Sequence, residues 1–400
     1  MITQWLHEYA LLALRIDKIM RTRTELPYVD GYYGPAEWIA TVEAEPETPA
    51  PDLVRAAIAL VGALPAQDFE PRRATFLAKQ VTALETICRK LSGEILSLEE
   101  EGQRLFDIAL TWVPEEQFER ALALYHAALP GKGTLARRLH EWRRQYQLPP
   151  QHSELFVNIT GRILDEVRRR AKGFLDLPKD ECVEIRTVTG KPFGAANFYQ
   201  GNYHTLVEIN TETDINVLML VDDLCHEGYP GHHVETVLKE QHLYRELGYL
   251  EQAVPIVLSP PCLVSEGIAM LACEMLFAPG ELEQWLAEHV YPQLGLKPDP
   301  VDLTTLRTAG DLLNGTWCNA ALMLREGRPK EEVQDYLAKY MQPAGVVEHL
   351  ALPFQDVYTC TYYYGKQLLQ PWLQGADRWE VLRSLLREQV LPSDLVKGDM

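Results

Sequence analysis

Long apolar runs are missing from this sequence, and so is a surplus of positive charge. No stretch approaches the roughly 20 consecutive apolar residues of a membrane-spanning helix, so we expect no membrane partner. The 38 Lys and Arg residues are outnumbered by 57 Asp and Glu residues, which gives a net charge of −19. Because a surface of that sign repels phosphate backbones, the composition argues against nucleic acid as a partner.

Cysteine is scarce and shows no pairing pattern. The seven cysteines are scattered along the chain without CxxC pairs, which predicts a fold that does not depend on disulfides and suggests the reducing cytoplasm as its location. The first 20 residues carry charges among apolar positions spaced three and four apart, unlike the continuous apolar stretch of a signal peptide. They therefore predict an amphipathic surface helix.

Helical periodicity dominates what the sequence does contain. Segment 72–105 reads as helix, because apolar residues recur at helical spacing; these are Phe76, Val81, Leu84, Ile87, Leu91 and Ile95. Further helices are predicted at 133–146, at 153–172 and over most of the chain after 216. A length of 400 residues suggests two lobes within one continuous fold.

Two short segments break the helical pattern. Residues 182–189 and 205–210 are rich in β-branched side chains and nearly alternating, so they predict two strands joined through a loop at 194–201. Zinc peptidases use such a sheet beside the metal-binding helix to hold an extended substrate by strand addition, although a purely structural ribbon fits equally well. A loop at 27–35, with two glycines, two prolines and three tyrosines, is a candidate for packing on the cleft.

The densest set of potential metal ligands lies at 226–233. His226, Glu227, His232 and His233 fall within eight residues, directly after a mainly apolar segment. Imidazole and carboxylate groups are zinc ligands, and three of them with one open position are typical of a catalytic zinc site. In a regular α-helix, however, residues six apart lie about 120° away from a common face. Pro230 and Gly231 can kink the helix and bring His232 back towards His226.

The segment 226–233 resembles the HExxPGHH motif of the bacterial domain of unknown function 885 family. Members of that family look like distant relatives of thimet-type oligopeptidases and Taq-type carboxypeptidases. Residues 266–274 are similar to the family's EGWAxYxE stretch, and 362–365 to its YxxG segment. The likeness covers about residues 190–370, with departures at Ile268 and Leu271, where aromatic residues are usual, and at Glu235, where glutamine is common.

This resemblance implies a mainly α, two-lobed, metallopeptidase-like fold with a small β-sheet next to the metal-binding helix. We expect an N-terminal helical lobe at 1–180 and a metal-binding catalytic lobe at 181–400. The resemblance further implies one Zn²⁺ per chain, held by His226, His232 and Glu266. Glu227 is then the general base that takes a proton from the attacking water.

Other roles follow from the chemistry of peptide hydrolysis. A tyrosine hydroxyl suits the oxyanion, and Tyr362 is the first candidate, with Tyr358 one turn earlier. His204 and His233 are held in reserve for the same role. Asp222 and Glu274 are candidates for orienting the histidine rings, although ordinary solvated or capping acids fit them as well.

Several readings stay open from the sequence alone. The expected substrate is a peptide or a small amide, and a hydrolase of non-peptide amides or esters would use the same groups. A non-catalytic helical protein with a vestigial metal site is a third reading. The same ligands can hold manganese, cobalt or iron, and the sequence does not decide the oligomeric state.

Overall fold

A computed structural model describes residues 3–24, 27–148, 154–191, 193–212, 215–298 and 300–398. The fold is mainly helical with one small sheet, as predicted. The helices are α1 (Gln4–Thr24), α2 (Ala36–Ala44), α3 (Ala50–Ala63), α4 (Pro71–Leu91), α5 (Leu98–Phe106), α6 (Glu116–Ala128), α7 (Leu135–Gln145), α8 (Glu154–Lys172), α9 (Val217–Glu227), α10 (His232–Lys239), α11 (Pro260–Leu276), α12 (Glu281–His289), α13 (Tyr291–Leu294), α14 (Leu303–Arg325), α15 (Lys330–Lys339), α16 (Val346–Leu350), α17 (Gln355–Tyr358), α18 (Cys360–Leu373), α19 (Arg378–Arg387) and α20 (Pro392–Lys397). Short 3₁₀ helices lie at Leu64–Ala66 and Leu250–Ala253, and a π-helix at Glu240–Glu246.

Helix α1 forms as predicted, but its central part lies in the core, so the prediction that it lies on the surface is wrong for that part. Trp5, Tyr9 and Ile16 are almost fully buried, because α2, α3 and α4 all pack against α1. Asp17 is also buried, and its carboxylate accepts the backbone N–H groups of Tyr28 and Val29 at 2.7 and 3.0 Å. Asp17, whose charge suggested a position facing solvent, therefore holds in place the loop that follows α1.

The predicted helical run at 72–105 is divided into two helices. Helix α4 ends at Leu91, and α5 begins at Leu98 with Ser97 as its N-cap. Gly93 has a φ of +92° between them, which ends the first helix. Ile95 consequently lies in the connection, where it is 90% exposed, and is not a core position.

The sheet has three strands, β1 (Cys182–Val188), β2 (Ala195–Gly201) and β3 (His204–Asn210), in the order β1-β3-β2. Strand β1 pairs parallel to β3, and β2 pairs antiparallel to β3. The predicted loop at 194–201 is therefore mostly a strand. Its small residues have low strand propensity, and its pairing with β3 across a short turn at Asn202 and Tyr203 gives it its conformation.

One large hydrophobic core draws on both halves of the chain. It includes Leu12 of α1, Leu84 of α4, Val221 of α9 and Leu263 of α11. The division at 180 stays a prediction. Within the described residues, no helix taken alone has the length and apolar composition of a membrane span; α11 and α12, bent by 70° at their junction, reach them together.

Candidate metal centre

A tight turn between α9 and α10 brings the first two candidate ligands together. The backbone N–H of Gly231 donates to the carbonyl of Cys225 at 3.1 Å, so the chain folds back onto the end of α9. A Cβ atom on Gly231 would lie 1.9 Å from the carbonyl oxygen of His226, so only glycine fits there. The helix is thus broken rather than kinked, and His232 begins a new helix beside His226.

Glu181, just ahead of β1, anchors this turn. It accepts hydrogen bonds from the hydroxyl of Tyr229 and from Nε2 of His233, the latter at 3.0 Å. Arg168 of α8 donates to it at 2.9 Å. Burial acts to raise the pKa of Glu181, but hydrogen bonds from His233, Tyr229 and the nearby cations prevail and lower it to about 2. The carboxylate is therefore charged and ties α8 and the sheet to the turn.

His233 takes part in this anchor and does not face the other two histidines. Its Nδ1 is 2.8 Å from the hydroxyl oxygen of Thr205 on β3, and its side chain is fully buried. Burial lowers the pKa of His233, which favours the neutral ring. His204, the other reserve candidate, is exposed at the start of β3.

Close contact between α11 and α18 places the third candidate ligand. A Cβ atom on Gly267 would lie 2.4 Å from the carbonyl oxygen of Gly365, so the two helix backbones touch. Glu266, next to Gly267, is therefore held beside the tyrosines of α17 and α18. The hydroxyl of Tyr358 donates to Oε1 of Glu266 at 2.8 Å.

The three candidate ligand atoms have the spacing of a tetrahedral metal site. Nε2 of His226 and Nε2 of His232 are 3.2 Å apart, and Oε2 of Glu266 lies 3.4 and 3.7 Å from them. Ligand atoms about 2.0–2.1 Å from zinc at the tetrahedral angle lie about 3.3 Å apart. Oε2 of Glu266 is buried and has no hydrogen-bond partner in the described structure. These residues therefore form a possible metal site that fits zinc.

Within the cluster, the carboxylate of Glu266 and the ring of His232 stabilise each other's charged forms. Burial acts to raise the pKa of Glu266, but His232 and His226 outweigh it and hold that pKa well below its usual range. Burial acts to lower the pKa of His232, but Glu266 outweighs it and raises that pKa to about 9. The centre therefore holds a deprotonated carboxylate, the form that binds a cation.

Ser265 and Glu235 orient His232, and the sequence did not reveal this. Nδ1 of His232 is 3.0 Å from Oγ of Ser265, which donates to Oε2 of Glu235 at 2.6 Å. Since the serine proton is used on Glu235, Oγ accepts from Nδ1, so Nε2 is the nitrogen that would bind a metal by giving up its proton. Glu235 also pairs with Lys239 at 2.6 Å. The only sequence signal was position, because Ser265 directly precedes Glu266.

Asp222 and Glu274 are paired with cations instead of histidines. Asp222 lies 2.7 Å from Arg307, and Glu274 pairs with Lys366. In the described part of the chain, neither carboxylate is hydrogen-bonded to His226 or to another histidine ring. Their expected part in orienting the rings is thus not seen, and both carboxylates connect neighbouring helices.

A cavity of about 1050 Å³ opens onto the candidate ligands. Glu227 and Tyr362 both line it, and the ring centroids of Tyr362 and His226 are 6.2 Å apart. Burial raises the pKa of Tyr362, so its hydroxyl stays protonated and can donate a hydrogen bond. Asp30 and Tyr33 also line the cavity, which confirms that the loop at 27–35 packs on the cleft.

Strand β2 forms another wall of the cavity, and within the described residues no strand pairs with its edge away from β3. Asn210 donates to the carbonyl of Gly194 at 2.7 Å, which makes these two a hydrogen-bonded pair. Because such pairs alternate along antiparallel strands, the backbone groups of Ala195 and Asn197 point away from β3. The side-chain amide Nδ2 of Asn197 donates to the carbonyl of Glu227 at 2.6 Å, which fixes β2 against α9.

Comparison with known proteins supports the fold and leaves the activity open. No protein-family model and no curated protein matches the chain. A solved structure from Colwellia psychrerythraea, described as a "putative lipoprotein", matches with a TM-score of 0.55 and 16% identity, over 90% of this chain and 68% of that one. At this identity the match shows a shared fold only.

Two further solved structures superpose less well. A "putative lipoprotein of unknown function" from Shewanella oneidensis gives a TM-score of 0.48 at 10% identity, over 99% of this chain and 88% of that one. Metallocarboxypeptidase 1 of Trypanosoma cruzi gives 0.35 at 14% identity, over 98% and 91%. Scores this low support no statement about activity.

The expected cytoplasmic location is contradicted by the description of the Colwellia protein. That protein is described as a "putative lipoprotein", and lipoproteins are anchored to a membrane and are not cytoplasmic. The cysteines of this chain misled the prediction, because a missing disulfide pattern reports only that the fold needs no disulfide. It carries no information about the compartment.

Proposed function

We propose that this protein is a zinc-dependent metallopeptidase that cleaves short peptides. The observation that carries the proposal is the spacing of 3.2, 3.4 and 3.7 Å between the ligand atoms of His226, His232 and Glu266, at the wall of a large cavity. The three sequence motifs lead us to infer kinship with the bacterial domain of unknown function 885 family.

The water, the substrate carbonyl and the oxyanion of peptide hydrolysis can then each be assigned residues that act on them. Zinc, when bound by these three residues, would supply Lewis-acid activation of a water and of the substrate carbonyl. Glu227 follows His226 in the chain and lines the cavity, so its carboxylate would accept the proton of the attacking water. The hydroxyl of Tyr362 would donate to the oxyanion as its charge develops.

The free edge of β2 supports a peptide as the substrate. Ala195 and Asn197 line the cavity, and among the described residues no backbone hydrogen bond outside the sheet engages them. An extended peptide could therefore pair with their backbone groups that point away from β3. An ester or a small amide offers no such row of backbone groups. This edge is the observation that favours a peptidase over a hydrolase of other amides and esters.

The proposal is tested on one purified sample by metal analysis and by cleavage of a mixed peptide library, with and without a chelator. We expect about one zinc per chain and cleavage that the chelator abolishes. Chelator-sensitive hydrolysis of small amides or esters alone would contradict the peptidase assignment. Bound zinc without hydrolysis of any substrate would indicate a vestigial site, and failure to bind supplied zinc would overturn the metal assignment.

A further inference from the structure

Asp30 contributes a carboxylate to the cavity wall. Three other acidic residues of the wall are paired: Glu235 with Lys239, Glu251 with Arg73 at 2.7 Å, and Glu266 with the two histidines. For the carboxylate of Asp30, the described residues provide neither a hydrogen bond nor an ion pair. Its charge is therefore available to a ligand.

The backbone around Asp30 is firmly held. The N–H of Asp30 donates to the carbonyl of Pro255 at 3.0 Å, and Val29 forms a β-bridge with Ile256. The N–H of Val29 also donates to buried Asp17. Because these contacts fix the main chain and none uses the carboxylate of Asp30, the loop presents that carboxylate to the cavity in a defined place.

Asp30 lies within electrostatic reach of the metal centre. Burial raises the pKa of Asp30 to about 6, with His232 opposing this effect and Glu227 and Glu266 adding to it. A partly buried carboxylate without a partner costs free energy, which a cationic ligand would recover. The carboxylate of Asp30 thus favours binding of a positively charged group over a neutral one.

Gln80 of α4 adds a second unused acceptor to the same wall. Its side chain is 5% exposed and lines the cavity, and its Oε1 has no hydrogen-bond partner in the described structure. Oε1 of a glutamine and the oxygens of a carboxylate accept hydrogen bonds and donate none. Each of these two side chains is therefore an acceptor that suits a cationic group with N–H donors.

We propose that Asp30 binds a cationic nitrogen of the substrate, an ammonium or guanidinium group. The preferred substrates would then be peptides with a free amino terminus, or with a lysine or arginine side chain, near the bond that is cleaved. This inference rests on the proposed peptidase function and adds the substrate class. The net charge of −19 would also help to attract such substrates.

The test measures binding, so that it does not depend on turnover. Zinc-loaded Glu227→Gln protein is titrated calorimetrically with three probes: tetra-alanine amide, its N-acetylated form, and N-acetyl-Ala-Lys-Ala-Ala-amide. We expect the N-acetylated alanine peptide to bind about 10- to 100-fold more weakly than one or both of the charged probes, the range for a charge-assisted hydrogen bond. Which charged probe binds better distinguishes the amino terminus from a basic side chain.

Asp30→Asn in the same background removes the charge and keeps the size of the side chain. We expect it to abolish the preference for the charged probe, whereas Asp30→Glu should keep part of it. The matched control is Asp165→Asn, because Asp165 is an exposed residue of α8 outside the cavity wall. This control should keep the full preference.

The outcomes separate this inference from the proposed function. Equal binding of charged and neutral probes, no binding of any probe, or a preference that persists in Asp30→Asn would each overturn the role of Asp30. A preference that depends on Asp30, found in a protein that cleaves no peptide, would support the cation site and reject the peptidase. Peptide cleavage without a preference for charged probes would support the peptidase and reject the cation site.

Discussion

The hydroxyl of Tyr358 donates a hydrogen bond of 2.8 Å to Oε1 of Glu266, and this contact decides which oxygen of that carboxylate faces the histidines. Among the described residues Oε2 has no hydrogen-bond partner, and it lies 3.4 Å from Nε2 of His226. Tyr362, one turn further on, has its hydroxyl 3.4 Å from that of Tyr358 and lines the cavity. Two neighbouring tyrosines are thus placed for different tasks.

Replacing each of these tyrosines by phenylalanine should therefore have different effects. Tyr358→Phe should weaken zinc binding about 10- to 100-fold, because it removes the group that orients Glu266. Tyr362→Phe should bind zinc normally and lower kcat about 10²- to 10³-fold with little change in KM, as expected for an oxyanion donor. Zinc affinities from competition with a chelating dye, together with peptide kinetics, measure both. An unchanged kcat in Tyr362→Phe would move the oxyanion role elsewhere.

Glu227→Gln should retain zinc and lower kcat about 10²- to 10⁴-fold, because the amide cannot accept the proton of the attacking water. Glu266→Ala or His226→Ala should instead lose the metal, since each removes one of the three candidate ligands. Metal content and turnover of the three variants distinguish these roles. Full activity in Glu227→Gln would remove Glu227 from the mechanism.

Ser265→Ala should lower zinc affinity about 10- to 100-fold, because Nδ1 of His232 loses the acceptor that fixes its tautomer. Ser265→Thr keeps a hydroxyl and should retain more of the affinity. Chelator competition at one pH measures both variants. If Ser265→Ala binds zinc as tightly as the unchanged protein, the path from Glu235 to His232 does not orient the ligand.

Asp223 should make stability depend on pH. Burial raises its pKa to about 8, with Glu227 and Asp222 adding to the effect. Since the pKa is raised in the folded state, the stability from the neutral form is fully present below about pH 4 and is lost as the pH rises through 8. Asp223→Asn removes this loss of stability. The Tm of the variant minus the Tm of the unchanged protein should therefore be larger at pH 9 than at pH 5.

Thermal unfolding at the two pH values, with chelator present, measures this difference. Asp165→Asn is the control, because Asp165 is exposed on α8 and no such effect of pH is expected there. A Tm difference for Asp223→Asn that is the same at pH 5 and pH 9 would show that Asp223 is charged throughout.

Local sequence patterns were sufficient for most of the helices. Predicted segments 133–146 and 153–172 correspond to α7 (Leu135–Gln145) and α8 (Glu154–Lys172), whose apolar residues recur at helical spacing. Residue 153 lies outside the described residues. Periodicity was less informative where burial depends on other elements. It assigned α1 to the surface, although three helices pack against α1 and bury its central part, and it missed β2, whose conformation depends on pairing with β3.

By itself, the sequence determined the chemical character of the site. The dense set of ligand types at 226–233 indicated a metal site, and the resemblance of this segment and of 266–274 to family motifs nominated His226, His232 and Glu266 as one cluster. Tertiary structure alone decided how these residues meet and which others serve them. The fold-back at Gly231 and the contact between Gly267 and Gly365 bring together groups from different helices. Asp222 pairs with Arg307, and Glu274 pairs with Lys366, so neither carboxylate orients a histidine ring. The orientation of a carboxylate depends on the charges around it, and these come from distant parts of the chain.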